Sequence, residues 1–395
     1  MSTVTVPTPI HHIRAHAHPI SALSISDDNE RIYSADSSGH VVVTCSRSLR
    51  PHAAWEAHAD SVLGVQEMQE QVFTHGRDNK IRIWRLPERS SSIQVGASAT
   101  APGLATPELI DSMDVNALNY CRFSLLSLGD DLWIAIPNLV ESAYADIWRL
   151  PGKERVHAAI GKPEPFRSTS IDGRGDVVRN ATGIIMSLHL LPPREQGCAR
   201  LMAAYENGAV GLWEYDPDSN DGRATSIEGL GWSRVWEVQV HAESIMATAV
   251  AKSHSLALSV SADHLIGKYV LAVRLTSYLA PEPFRTKHPG NGAIALTDDA
   301  RVCAVGGWDS KIRLYSTKSF KQLGTLSHHK DAIQALCFAH TPESSAPEDA
   351  DEDQGVEGHI LTPKEKAARS RWLVSSGRDG RVVIWELMDF SKGKR

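Results

Sequence analysis

A histidine, a hydroxyl residue and an aspartate stand in the same order at two places in this chain: His58, Thr74 and Asp78, then His329, Ser375 and Asp379. These side-chain types can supply a nucleophile, its base and the group that orients the base, the set a hydrolase uses to cleave an acyl bond. In both places a tryptophan follows the aspartate by six residues, Trp84 and Trp385. The strings around them are nearly the same, GRDNKIRIW at 76 to 84 and GRDGRVVIW at 377 to 385. A catalytic loop duplicated at that distance is odd, whereas self-similarity in a constant frame suggests a repeat architecture.

The same frame catches Asn207 before Trp213, Asp309 before Tyr315 and Asp263 before Tyr269. Two weaker matches, Asp36 before Val42 and Ser142 before Trp148, bring the count to seven units. Between aspartate and aromatic the residues alternate, as in Lys80, Ile81, Arg82 and Ile83, the period of a strand with one buried face. An Asp or Asn with Gly at the start makes a tight hairpin turn. Upstream of each turn lies a second strand, such as 372 to 376 or 302 to 306. A third lies further upstream and is usually opened by a histidine: His58, His241 or His329. Each unit is therefore three strands plus a less regular fourth, in an all-β chain.

At these residues the units resemble the WD40 repeat, with a His near its start and a Trp at its end. The resemblance covers nearly the whole chain and implies a seven-bladed WD40 β-propeller, a single closed domain. Its blades end near residues 42, 84, 148, 213, 269, 315 and 385, and the N-terminal segment, Pro9 to Arg14, supplies the outer strand of the last blade. It further implies that His, hydroxyl, Asp and indole form a hydrogen-bonded chain inside a blade. His58, Thr74, Asp78 and Trp84 complete that set in blade two, and His329, Ser375, Asp379 and Trp385 in blade seven. Blade six has Val305 and blade four Ala203 at the hydroxyl position, so apolar packing is expected to hold those blades instead.

A nucleophile must be exposed beside an oxyanion hole, while Thr74 and Ser375 fall on strands the pattern buries. No G-x-S-x-G elbow, P-loop, HExxH or kinase motif appears. The stretch HHIRAHAH, His11 to His18, has the composition of a metal cluster, yet His16 or His18 is needed to open blade one, and no carboxylate or cysteine completes a defined site. The expectation is no catalytic residue, no metal and no cofactor.

With 395 residues, 42% of them hydrophobic, the chain can bury a large core, and a net charge of −6 gives no sign of a basic nucleic-acid-binding surface. Five scattered cysteines without a CxxC pair fit free thiols in a reducing compartment. The first residues lack the apolar core of a signal peptide and no apolar run reaches membrane length, so an intracellular protein with no membrane partner is expected.

Function on such a scaffold belongs to the insertions. Residues 87 to 113 are rich in Ser, Ala, Thr, Pro and Gly and are expected to form a flexible excursion after blade two. Residues 216 to 231 look like a polar loop. KPEPFRST from Lys162 and APEPFRTK from Ala280 share a string, each about a dozen residues after a blade's aromatic, which makes Phe166, Arg167, Phe284 and Arg285 candidate partner-binding residues. The competing reading is that each Phe pins an outer strand to its blade. Thr341 to Ser370 splits blade seven. Its first part holds seven acidic residues and no basic one, Glu348, Asp349, Asp351, Glu352 and Asp353 among them, and is either a solvated spacer or a tether for a basic partner. A short helix is expected at 363 to 371.

The stretch from Lys287 to Phe338, with its HPG opening, its GGWDSKIR turn and its STKSFKQLGTLSHH connection, resembles the fungal ASTRA-associated protein 1 family and its animal counterpart, a guanine-nucleotide-binding-protein-β-like WD protein. The resemblance implies a non-catalytic scaffold, a monomeric propeller within a larger nuclear assembly, with a cytosolic pool. Its implied partners are subunits of an ASTRA-type complex and co-chaperones of phosphatidylinositol-3-kinase-related kinases, with a role in chromatin regulation and no direct contact with nucleic acid. The alternative is a WD40 substrate receptor of a ubiquitin ligase. A G-protein β subunit is disfavoured because blade one starts by His16 and leaves no room for a long helix. The Phe-Arg-Arg-Gly string of phosphoinositide-binding propellers is absent.

Overall fold

Strands Arg200–Tyr205 and Val302–Gly307 bury every residue, which requires that both faces of their sheets be covered. The computed structural model shows how. It describes residues 8–87, 104, 106–163, 182–193, 199–271, 283–342 and 361–390. These form seven four-stranded antiparallel sheets, the blades of a propeller.

In chain order, strands a to d of blade one are Ile20–Ile25, Arg31–Asp36, His40–Cys45 and Pro51–Glu56. Blade two has Val62–Met68, Gln71–Gly76, Lys80–Arg85 and Glu108–Asp114, and blade three Ser124–Leu128, Asp131–Pro137, Ala145–Leu150 and Glu154–Ile160. Blade four runs from Ile185 to Gln239, blade five from Ile245 to Arg285 and blade six from Asn291 to Ser327. Blade seven has Ile333–Phe338, Trp372–Gly377 and Val382–Glu386, and its fourth strand is His11–Ile13 from the N-terminus, paired with the third through His12 and Val383.

Seven apolar clusters fill the spaces between adjacent sheets. The one that closes the ring packs Ile13, Ile20, Leu23 and Ile32 against Val374, Val382 and Ile384, so the first and last segments of the chain share a core. Among the described residues no sheet is left with a bare face, and the ring leaves only the short inner and outer edge of each blade unpaired.

Six blades carry a bulge at the second residue of strand a: Ser21, Leu63, Met186, Met246, Gly292 and Gln334. Blade three pairs its first two strands without one. A bulge turns a side chain out of the pleat, so blade three starts differently from its neighbours.

The links between blades sit tightly on the turns of the blade before. Gly39, at φ +95°, lies where any Cβ would overlap the carbonyl oxygen of His58, and its own carbonyl accepts from the Ala57 and His58 amides. Gly39→Ala is therefore expected to lower stability by about 1–3 kcal/mol, combining left-handed strain with the overlap. A thermal melt checks this, and an unchanged midpoint would show that the link relaxes freely.

Two expectations need correction. Residues 108 to 113, placed in a flexible excursion, form strand d of blade two, because Glu108–Asp114 pairs along Lys80–Arg85 and buries Met113. Residues 216 to 231 form a loop, as expected, with one 3-10 turn at Asp218–Asn220, and the loop packs on blade three. Ser226 is buried, and its backbone exchanges hydrogen bonds with Val156 and Ala158 on the outer strand of blade three. The two PEPFR strings are not equivalent. Phe284 lies in strand d of blade five, whereas blade three already completes strand d at Ile160, before the first string begins. The expected helix forms over Pro363–Arg369, with a capping box between Thr362 and Glu365. Its Glu365 meets Arg47 at 3.1 Å and its Lys366 meets Glu30 at 3.3 Å, which docks the helix on blade one.

Candidate functional site

The triad-like residues come together inside the blades. In blade two His58 Nδ1 lies 2.8 Å from Asp78, His58 Nε2 lies 2.8 Å from Thr74 Oγ1, and the Trp84 indole donates to the same oxygen at 2.8 Å. Indole can only donate, so Thr74 accepts from it and donates to Nε2, and the imidazole donates from Nδ1 to the carboxylate. Burial pushes the His58 pKa down, in keeping with a neutral ring. Burial alone would raise the Asp78 pKa, but hydrogen bonds from Arg82 and His58 bring it below the ordinary value. Blade seven repeats the chain through His329, Asp379, Ser375 and Trp385, with both carboxylate oxygens 3.1 Å from the ring and Ser375 2.9 Å from both neighbours.

Blade five holds a third set, His241, Asp263, Ser259 and Tyr269, in which the phenol replaces indole at 3.0 Å. Ser259 sits four residues before Asp263, as Thr74 does before Asp78, so this set was open to the same frame. Thr74, Ser259 and Ser375 are fully buried. No substrate can reach these hydroxyls in the folded blade, and burial pushes the thiols of Cys121 and Cys303 up to about 12. The tetrads are rivets between strands.

Blades one, four and six depart from the expected pattern. In blade one His16 meets Asp36 and Ser34, both at 2.8 Å. By its pairing with Val42, Ser34 takes the hydroxyl position that Thr74 takes opposite Arg82, so Asp36 stands two places earlier than in blade two. The aromatic position is Thr44 rather than Val42, and its hydroxyl does not reach Ser34, so the chain ends there. His16, Asp36 and His40 lie close enough to share a cation, but both ring nitrogens of His16 are already engaged within this network. Blade four is not held by apolar packing alone, since Trp213 donates to the Tyr205 hydroxyl at 3.2 Å. Nor is blade six, where the buried Arg313 guanidinium reaches Asp309 at 3.1 Å.

Blade three has a different fastening, which sequence reasoning missed. Its turn from strand b to strand c spans 138 to 144 and is organised by Asn138, which accepts from the amides of Val140 and Glu141 and donates to Asp146 at 2.9 Å. The link from blade two carries two buried asparagines. Asn116 donates to the Asn138 carbonyl at 2.6 Å, and Asn119 donates to Ser142 at 3.2 Å and to Ile185 at 3.0 Å. These amides do for blade three what His and Asp do for blade two, tying the incoming link to the turn. The only sequence signal was the pair of asparagines in NALN.

Among the predicted partner-binding residues, Phe284 is half-buried and stacks on Phe320 at 4.9 Å with Tyr315 edge-on at 5.8 Å, so its ring packs blade five on blade six. Arg285 is exposed and reaches His264 at 3.2 Å. Phe166, Arg167, Glu348, Asp349, Asp351, Glu352 and Asp353 lie outside the described residues.

Comparison with known proteins shows what the chain is similar to. The family model of the WD domain, G-beta repeat, matches residues 7–48. A protein of Penicillium rubens named ASTRA-associated protein 1 is 29% identical over 96% of this chain and 97% of its own length. The chain is similar to ASTRA-associated protein 1 along nearly its whole length. Proteins of the same name from Verticillium alfalfae, at 26% over 96% of this chain and 93% of theirs, and from Schizosaccharomyces pombe, at 25% over 85% and 94%, extend that similarity across distant fungi. The Penicillium and Verticillium matches cover 96% of the chain, well beyond the fifty residues around Lys287 to Phe338 on which the resemblance first rested.

Proposed function

We propose that the protein is a non-catalytic WD40 scaffold of an ASTRA-type assembly. It would act chiefly in the nucleus and support the chaperone-linked assembly of phosphatidylinositol-3-kinase-related kinases and chromatin regulation through protein contacts. The observation that carries this reading is the similarity to relatives named ASTRA-associated protein 1 across the full set of blades. The buried tetrad hydroxyls and high-pKa thiols support a role without covalent chemistry.

Affinity purification of the tagged chain from its own cells, with mass spectrometry, tests the proposal. The expected result is recovery of large helical-repeat kinases together with their co-chaperones. Recovery of cullin-type ligase subunits instead would replace the scaffold reading by that of a ubiquitin-ligase substrate receptor.

A further inference from the structure

The fastening of blade three leaves apolar side chains facing water. Leu118 is 78% exposed and Val140 80%, and Tyr120 and Leu139 are also open. All four belong to the two segments that Asn116 and Asn119 clamp together, so they form one platform on the face carrying the blade links and the b-to-c turns. The clamps hold the backbone on both sides, so the platform is organised before anything binds, which reduces the ordering cost of association. Isolated exposed apolar residues need no explanation, whereas four on adjoining fastened loops do.

Two cations flank the platform. Arg77, from the b-to-c turn of blade two, lies over the Tyr120 ring at 4.2 Å. Arg122, two residues past Tyr120, reaches from the start of blade three to the carbonyl of Ser21 in blade one at 2.9 Å, spanning the inner side of blade two. The Arg122 side chain is exposed. Among the described residues no carboxylate pairs with it, and one carbonyl engages one of its five N–H groups. An exposed guanidinium with no carboxylate partner among the described residues, two residues along the same link from Tyr120, is complementary to a carboxylate next to an apolar anchor.

We infer that this platform docks a short linear segment of a partner protein, one that sets an apolar or aromatic side chain on Leu118, Tyr120 and Val140 and a carboxylate on Arg122. The inference rests on the scaffold reading and says where on the scaffold a partner sits. The test is selection of a random twelve-residue peptide library on the intact chain, followed by fluorescence polarisation of the enriched peptides. The variants are Leu118→Glu with Val140→Glu, and separately Arg122→Gln.

Enriched peptides should share an apolar residue with Asp or Glu close by. Both variants should weaken their binding by roughly tenfold or more, and the Leu118→Glu, Val140→Glu variant should leave the melting temperature unchanged, since Leu118 and Val140 are exposed. Binding should also weaken as salt rises. Absence of enrichment, a consensus without an acid, or equal binding to the variants would overturn the site. Purification from cells separates the two levels of the argument. If the Leu118→Glu, Val140→Glu chain retains the whole partner set of the wild type, the platform fails and the scaffold stands. If the wild type itself recovers no assembly, the scaffold reading fails on its own.

Discussion

Trp385→Ala is expected to lower the stability of the whole ring by roughly 3–5 kcal/mol, the range for removing a large buried aromatic. Trp385 is 1% exposed and lies in the cluster that joins blades six and seven, between Leu314, Leu326 and Leu373. Its indole also donates to Ser375. Trp385→Phe separates the two contributions, because phenyl keeps much of the packing and removes the donor. Ser375 then still faces His329 at 2.9 Å and the Val383 carbonyl at 3.3 Å. The hydrogen-bond share should therefore sit near 1 kcal/mol, the net worth of one bond whose acceptor keeps other partners. Urea unfolding at pH 7 measures both variants, and a Phe variant as damaged as the Ala variant would show that the rivet outweighs the packing. A second, earlier transition in the Ala variant would show blade seven opening alone. The shared core between Ile13 and Ile384 argues for a single transition.

Acid should destabilise the protein well before its carboxylates are protonated. Burial pushes the pKa of His75 down to about 3 and that of His157 to about 4, and the Nδ1 atom of each ring is buried without a partner. A histidine whose folded pKa lies below its unfolded value near 6.5 binds fewer protons when folded. Its neutral burial is therefore fully tolerated above about pH 6.5, and stability falls as pH drops from there toward the folded value. At pH 5 each ring should cost about 2 kcal/mol, and the pair about 4 kcal/mol. Asp36 acts in a lower window. Burial opposes its ionisation, but hydrogen bonds from His16 and Ser38 hold its pKa at about 2, so its contribution is lost only below about pH 4.

His157→Phe is the diagnostic variant. His157 lies among Tyr215, Trp232 and Trp133, with ring centroids at 4.4, 5.2 and 5.8 Å, surroundings that suit a phenyl ring. Stability at pH 7 should hold, and the difference between pH 7 and pH 5 should shrink by about 2 kcal/mol. An undiminished difference would mean that the His157 cavity accepts a proton without penalty.

The residues that reveal the propeller are local and periodic. Thr74, Asp78 and Trp84 lie within eleven residues, and hairpin geometry alone places them on adjacent strands, so their spacing recurs in every unit built the same way. His58, Ser375 and the closing strand by His12 are legible for the same reason, since a blade cannot be completed without them. Blade one shows the limit. Asp36 two places early still meets His16, because the carboxylate can enter the network from a neighbouring turn position, and a strict frame then assigns Val42 where Thr44 stands.

The platform on blade three was beyond the reach of any spacing. Asn116 and Asn119 bond backbone carbonyls more than twenty residues away, and carbonyls are the same at every residue, so the sequence carries no mark of which one is met. Arg122 meets Ser21 across 101 residues because the innermost strands of blades one and two lie side by side. The sequence by itself determined seven antiparallel units, the hydrogen-bonded rivets of blades two and seven, and the use of the N-terminal strand to close the ring, all set by hairpin pairing and period-two burial. Only the tertiary structure decided which loops adjoin on one face, which apolar side chains remain in water there and which carbonyl the Arg122 guanidinium meets. Those depend on the curvature that seven packed sheets impose, and no single segment encodes it.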